Sequence, residues 1–153
     1  MKSDATARFF EDYAVGDRFE TGTYPMTFER IVEFAAVFDP QPFHVDEARA
    51  KESVFGKLVA SGWHTTSVTM KLLVESGVMQ ATGILGLGVD DLSWPQPVLP
   101  GDVLRVRWEV VERSPSRSGN RGLIRTLVTT LNQRDEVVMT MRPKLLVPAQ
   151  SVG

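Results

Sequence analysis

The stretch that most constrains this chain runs from Ser61 to Gly77, reading Ser-Gly-Trp-His-Thr-Thr-Ser-Val-Thr-Met-Lys-Leu-Leu-Val-Glu-Ser-Gly. Ser61 suits an N-cap and Gly77 a C-terminal stop, so a helix is expected from Ser61 or Gly62 to about Ser76. Val68, Met70, Leu72, Leu73 and Val74 leave it little polar surface beyond small Thr and Ser groups and Lys71. A helix apolar nearly all round has to be enclosed by other structure. At about 1.5 Å per residue it spans roughly 22 Å, enough to lie across a curved sheet.

The rest of the chain supplies that sheet. Asp17 to Met26 reads as a first strand, rich in Thr, Tyr and Phe. After the helix, β-structure is expected from Thr82 onward. Ile84 to Asp90 is the first segment, and Gly83, Gly86 and Gly88 mark bulges or the close approach of a ligand or helix. Trp94 to Asp102 is a rigid, proline-rich loop and turn. Asp102 to Glu112 alternates Leu104, Val106, Trp108 and Val110 with Arg105, Arg107 and Glu109. Leu123–Asn132 and Val137–Val147 are two further strands, joined around Gln133-Arg134-Asp135. The connections are too short for crossover helices, so the pairing is antiparallel and the class α+β.

Composition sets outer bounds. A chain of 153 residues is one domain, with ordinary apolar (42%) and charged (24%) fractions. A net charge of −2 argues against nucleic acid or an anionic membrane as the main partner. The lack of cysteine removes disulfides, thiolate nucleophiles and thiolate metal sites. Two histidines 20 positions apart offer no zinc-ligand spacing, so no metal site is expected. Met1–Thr6 lacks the apolar core of a signal peptide, and no apolar run approaches membrane-spanning length, so a cytoplasmic location is expected. Phe9–Tyr13 looks like an aromatic anchor.

The polar chemistry gathers in Phe38-Asp39-Pro40-Gln41-Pro42-Phe43-His44-Val45-Asp46. Thr27 as N-cap, Glu29 in the first turn, and Ile31, Phe34, Ala35 and Phe38 at helical spacing predict a helix that stops at or before Asp39, because Pro40 follows. Two prolines then predict a stiff extended segment, not helical, that presents Asp39 and His44 in a fixed relation. A carboxylate at a helix C-terminus faces the negative end of the helix dipole, so a raised Asp39 pKa is expected. An Asp-Pro turn without chemistry is the competing account of Asp39, and a satisfied structural role the competing account of His44. Asp46 is the expected N-cap of a short charged helix ending near Glu52.

Downstream, Ser61-Gly62 opens the long helix with free amides, a positive dipole end and a glycine that a ligand can approach. An ordinary serine cap with a permissive glycine explains the same residues. His64, inside the helix, is expected to be structural. Arg113, Arg117, Arg121 and Arg125 lie in or beside a polar Ser114–Gly122 loop, which suits either the phosphates of coenzyme A, an acidic carrier protein, or a solvated hairpin tip.

Asp39, Pro42 and His44, followed by Ala60-Ser61-Gly62-Trp63-His64, resemble the signature of the MaoC-like dehydratases, the (R)-specific enoyl-thioester hydratases of the hot-dog fold. The family more often carries Asn where this chain has Gln41. The resemblance implies a single hot-dog domain over 9–147, an antiparallel sheet wrapped around a long central helix, between a flexible N-terminus (1–8) and a flexible tail (148–153). It implies catalytic Asp39 and His44, an oxyanion site at the Gly62 amide, and substrate contacts from Ser61, Gln41, Phe43 and Trp63. It further implies an enoyl-CoA (acyl-CoA) substrate of fatty acid metabolism, no cofactor, no metal, and a homodimer with shared sites. The bulk of Phe43 and Trp63 points to a restricted acyl pocket.

Other classes fit less well. There is no Gly-x-Ser-x-Gly elbow and no phosphate-cradling loop. A non-catalytic thioester-binding or structural subunit on the same fold remains an alternative. A hot-dog thioesterase would need a carboxylate on the central helix, where Glu75 stands too far from the N-terminus.

Overall fold

The computed structural model describes residues 8–79 and 84–150. A turn of 3-10 helix (Phe10–Asp12) precedes strand β1 (Arg18–Pro25). Helices α1 (Phe28–Phe38), α2 (Pro42–Val45), α3 (Glu47–Lys51) and α4 (Gly62–Ser76) follow, then strands β2 (Leu85–Ser93), β3 (Val103–Pro115), β4 (Arg121–Leu131) and β5 (Val137–Pro148). All five strands form one antiparallel sheet in the order β1-β3-β4-β5-β2. Among the described residues, no helix is long and apolar enough to cross a membrane.

The period-2 alternation on β3 is realised as read. Leu104, Val106, Trp108 and Val110 are buried, and Arg105 on the other face pairs with Glu20 across β1. Trp108 packs edge-on against Tyr13 of the aromatic anchor at 5.8 Å, and the Tyr13 hydroxyl donates to the Val78 carbonyl just beyond α4. The anchor therefore ties the N-terminal segment to both layers. Phe10 lies over Gly122, where any Cβ would collide with its ring.

The expected ends of α4 hold. The Ser61 hydroxyl accepts from the Trp63 amide, and Gly77 adopts the left-handed conformation (φ 82°) of a helix stop. The expected enclosure does not. His64, Thr65, Val68, Thr69, Leu72 and Leu73 face inward, while Trp63 (55%), Met70 (44%) and Val74 (58%) remain exposed. The inward face is partly polar and satisfied: the Thr69 hydroxyl donates to the Thr65 carbonyl or to Thr130 Oγ1, 2.6 Å away. One chain thus covers only one side of the helix.

Two loop expectations also resolve. The register between β2 and β5 shifts between Gly86 and Gly88, so these glycines mark a bulge; Gly83 and Thr82 lie outside the described residues. Of the four arginines near the β3–β4 hairpin, Arg113 stacks on Phe10 (4.2 Å) and Arg125 pairs with Asp90 and Glu112 (3.5 Å each). Two of the four are committed to local packing, which favours the hairpin-tip reading. Residues 1–7 and 151–153 of the expected flexible ends lie outside the described residues. Beyond 147, the Ala149 amide donates to the Asn120 carbonyl, and the Gln150 amide to Glu11.

Candidate active site

The site is assembled where α1 ends and α4 begins. Thr27 caps α1 through the Arg30 amide, and Asp39 (φ −154°, ψ 69°) ends the helix with its amide still bonded to the Ala35 carbonyl. Gln41 is extended (φ −67°, ψ 141°), as a residue before proline must be. Its amide donates back to the Asp39 carbonyl at 2.8 Å, closing a three-residue turn over Pro40.

The extended segment stops there. Pro42–Val45 forms a helical turn, against the expectation of no helix between Asp39 and Asp46. Proline at the first helical position surrenders no bond and has the right φ, so Pro42 starts a helix that Pro40 could not continue. The turn swings His44 inward, leaving it 5% exposed. Asp46 then caps α3 through the Arg49 amide, as expected.

His44 Nδ1 lies 2.7 Å from the Val59 carbonyl oxygen. A carbonyl only accepts, so Nδ1 carries the proton and the neutral ring presents a lone pair at Nε2. Nε2 is 3.3 Å from Asp39 Oδ2. The Ser61 hydroxyl, which caps α4, donates to the same Oδ2 at 2.7 Å, and Gln41 Nε2 donates to Oδ1 at 2.8 Å. Asp39, His44, Ser61 and Gln41 thus form one cluster.

The acidity of Asp39 corrects the dipole argument. Burial pushes its carboxyl up, but donation from Gln41 and Ser61, joined by a smaller pull from His44 in its protonated form, outweighs burial and holds it below the usual carboxylate range. Direct donors at hydrogen-bond distance win over a partial charge spread across a helix end. His64 points elsewhere, stacked on Phe34 at 4.5 Å with Nδ1 buried and unpartnered. Burial, with Arg30 nearby, pushes it down to about 4.

A cavity of about 440 Å³ opens over the cluster, lined by Asp39, Gln41, Phe43, His44, Gly62 and Trp63, with Phe55, Val59, Val138 and the 94–98 loop completing its walls. Phe43 meets His44 edge-on at 4.5 Å. Gly62 is the first residue of α4, where the helix offers its amide no carbonyl partner. A Cβ at Gly62 would lie 2.5 Å from the Trp94 indole. The glycine therefore makes room for Trp94, a constraint separate from ligand approach. Trp94 Nε1 donates to Thr66 Oγ1 (3.2 Å), and its ring meets Trp63 at 5.1 Å. A second, apolar groove of about 430 Å³, between α4 and β2, has Trp63, Met70, Val89, Met141 and Leu145 among its walls, so Trp63 borders both spaces.

Two participants were not singled out from the sequence. The Trp94-Pro95-Gln96-Pro97 loop carries a usable signal, an aromatic on proline-stiffened backbone like that around Asp39. Val59 acts through its carbonyl, and no side-chain pattern marks that.

One antiparallel sheet backed by a single long helix, with a polar cluster at the helix start, defines an α+β protein of the hot-dog kind. Residues 11–132 match the family described as MaoC like domain, and the chain belongs to that family, one of hydratases and dehydratases. A crystal structure of the MaoC-like dehydratase from Rhodospirillum rubrum superposes with a TM-score of 0.90 at 47% identity, covering 95% of this chain and 100% of that one. The uncharacterized protein YdeM of Bacillus subtilis is 31% identical over 90% of this chain and 96% of its own length. The 3-hydroxybutyryl-CoA dehydratase of Methylorubrum extorquens is 30% identical over 97% of this chain and 89% of its own.

Proposed function

We propose that this protein is an (R)-specific hydratase/dehydratase that interconverts 2-enoyl and (3R)-3-hydroxyacyl thioesters of coenzyme A, with Asp39 and His44 as the reacting pair. The observation that carries the reading is the 3.3 Å approach of Asp39 Oδ2 to His44 Nε2 while Nδ1 is held by Val59. A carboxylate and a neutral Nε2 are both acceptors, and a water that donates one hydrogen to each satisfies both. The similarity to a 3-hydroxybutyryl-CoA dehydratase supports a coenzyme A thioester.

In the hydration direction, the Gly62 amide polarises the thioester carbonyl. The bound water attacks C3 and passes a proton to His44 Nε2, and the C2=C3 electrons move toward the carbonyl oxygen as an enolate. The imidazolium then returns that proton to C2 on the same face, so H and OH add together and the enzyme is regenerated. Asp39 stays ionised, orients the water and stabilises the imidazolium. Dehydration is the reverse, and no cofactor enters the balance. Phe43 and Trp63 bound the acyl end of the cavity.

The exposed apolar residues of α4 and the Leu85, Leu87 and Val89 side chains of edge strand β2 support a homodimer that covers this face. The test is the loss of enoyl-thioester ultraviolet absorbance on adding enzyme to short, medium and branched 2-enoyl-CoAs. Bleaching by the wild type, lost about 10²- to 10⁴-fold in Asp39→Asn, is the expected result. No bleaching across the panel would favour a non-catalytic thioester-binding subunit.

A further inference from the structure

We infer that Gln41 is a positioning residue that fixes the plane of the Asp39 carboxylate, so that Oδ2 alone faces His44 and the reacting water. Its side-chain amide donates to Oδ1 at 2.8 Å, while the Ser61 hydroxyl, from α4, donates to Oδ2 at 2.7 Å. One donor on each oxygen blocks rotation about the Cβ–Cγ bond, which Ser61 alone would not do. The main chain reinforces this arrangement. The Gln41 amide donates to the Asp39 carbonyl (2.8 Å), and the Gln41 carbonyl accepts from the His44 amide (2.9 Å). Gln41 is therefore tied to both members of the pair, and its side-chain amide group is engaged by Asp39.

The electrostatic setting makes the effect readable. Among the described residues, Asp39 and His44 are the only charged or titratable side chains lining the cavity. Ser61 on α4, Gln41 itself and the Trp94–Val98 loop contribute neutral groups. A change in how Asp39 titrates on altering Gln41 is thus a local change in donation to the carboxylate.

The experiment has two arms, one of which is independent of the hydratase reading on which the other rests. In protein labelled with carbon-13 at the aspartate carboxyls, with Asp39 assigned by Asp39→Asn, the Asp39 resonance is titrated in wild type, Gln41→Met and Gln41→Glu. Methionine keeps the length without the donor, and glutamate keeps the shape but sets an acceptor against Oδ1. The Asp39 midpoint should rise by about half a pH unit, roughly threefold in acidity constant, in Gln41→Met, and further in Gln41→Glu. In the hydration assay, the acid limb of kcat/KM should move the same way, and kcat should fall several-fold with KM unchanged.

An unmoved Asp39 midpoint in both variants overturns the inference even if hydration proceeds. A rise in KM with an unmoved acid limb overturns it in favour of a substrate contact. A shifted midpoint in a protein that hydrates no enoyl-CoA supports the inference and removes only the hydratase reading. Gln41 is exposed, and a thermal melt of each variant confirms that it folds.

Discussion

His44 Nδ1 and the Val59 carbonyl oxygen, 2.7 Å apart, decide which nitrogen of the imidazole meets Asp39. A backbone carbonyl cannot exchange roles with the ring, so the tautomer is set by the path of the chain into α4. The aromatic ring of Phe43, edge-on to His44, packs against the same imidazole.

That relationship separates two functions of one side chain. Asparagine at position 44 places an amide near Nδ1 and nothing at Nε2, so His44→Asn should keep the Val59 bond, whereas His44→Ala loses it. Both should lose about 10²- to 10⁴-fold in hydration rate. His44→Ala should be less stable than His44→Asn by about 1 kcal/mol, read from denaturant midpoints. Equal stability of the two would mean that the Val59 bond contributes little.

His64 gives the folded state a pH dependence of its own. Its ordinary value of 6.5 is pushed down to about 4 by burial and by Arg30, so the unfolded chain takes up the proton first as pH falls. The associated stability is fully present above the unfolded value and is lost as pH falls from about 6.5 toward 4, at up to about 1.4 kcal/mol per pH unit. Melting curves of wild type and His64→Leu across this range should diverge, with the variant the flatter. Parallel curves would show that His64 is not buried in its neutral form.

Gly62 is hemmed in by Trp94, and the constraint can be tested apart from catalysis. Gly62→Ala drives a Cβ into the indole and should cost about 1–3 kcal/mol, with a shift in tryptophan fluorescence. Trp94→Ala removes the obstacle, so the double variant should recover part of that loss. If it recovers none, the strain lies in the helix start rather than in the indole.

Leu87, exposed at the centre of β2 on a sheet edge, offers a direct test of the dimer. Leu87→Lys places a charge in the proposed interface and should shift the protein to a monomer by light scattering after size exclusion. A wild type that is already monomeric at micromolar concentration would remove the dimer from the proposal.

Much of the fold was legible because its signals are local. Thr27, Asp46 and Ser61 each cap a helix through a side chain that bonds two or three residues ahead. Leu104, Val106, Trp108 and Val110 reveal the buried face of β3 by period alone. In the site, the proximity of Asp39 and His44 was legible because they stand only five positions apart. The helical turn at Pro42 was missed because both prolines count as helix breakers by their effect on the residue before them, while Pro42 itself fits the first position of a new helix. The acidity of Asp39 was read with the wrong sign because neither side-chain donor to its carboxylate was counted, Gln41 from two positions away and Ser61 from 22.

By itself, the amino-acid order determined where helices start and stop, which strand faces are apolar, and which residue types could carry proton chemistry, since caps, prolines and period-2 alternation act within a few residues. Only the tertiary structure decided which nitrogen of His44 is free, which way Asp39 titrates, why Gly62 has no side chain, and that one face of α4 stays uncovered. Each of those depends on a partner far off in sequence, or on a backbone atom that every residue shares, or on surface that one chain leaves without a neighbour.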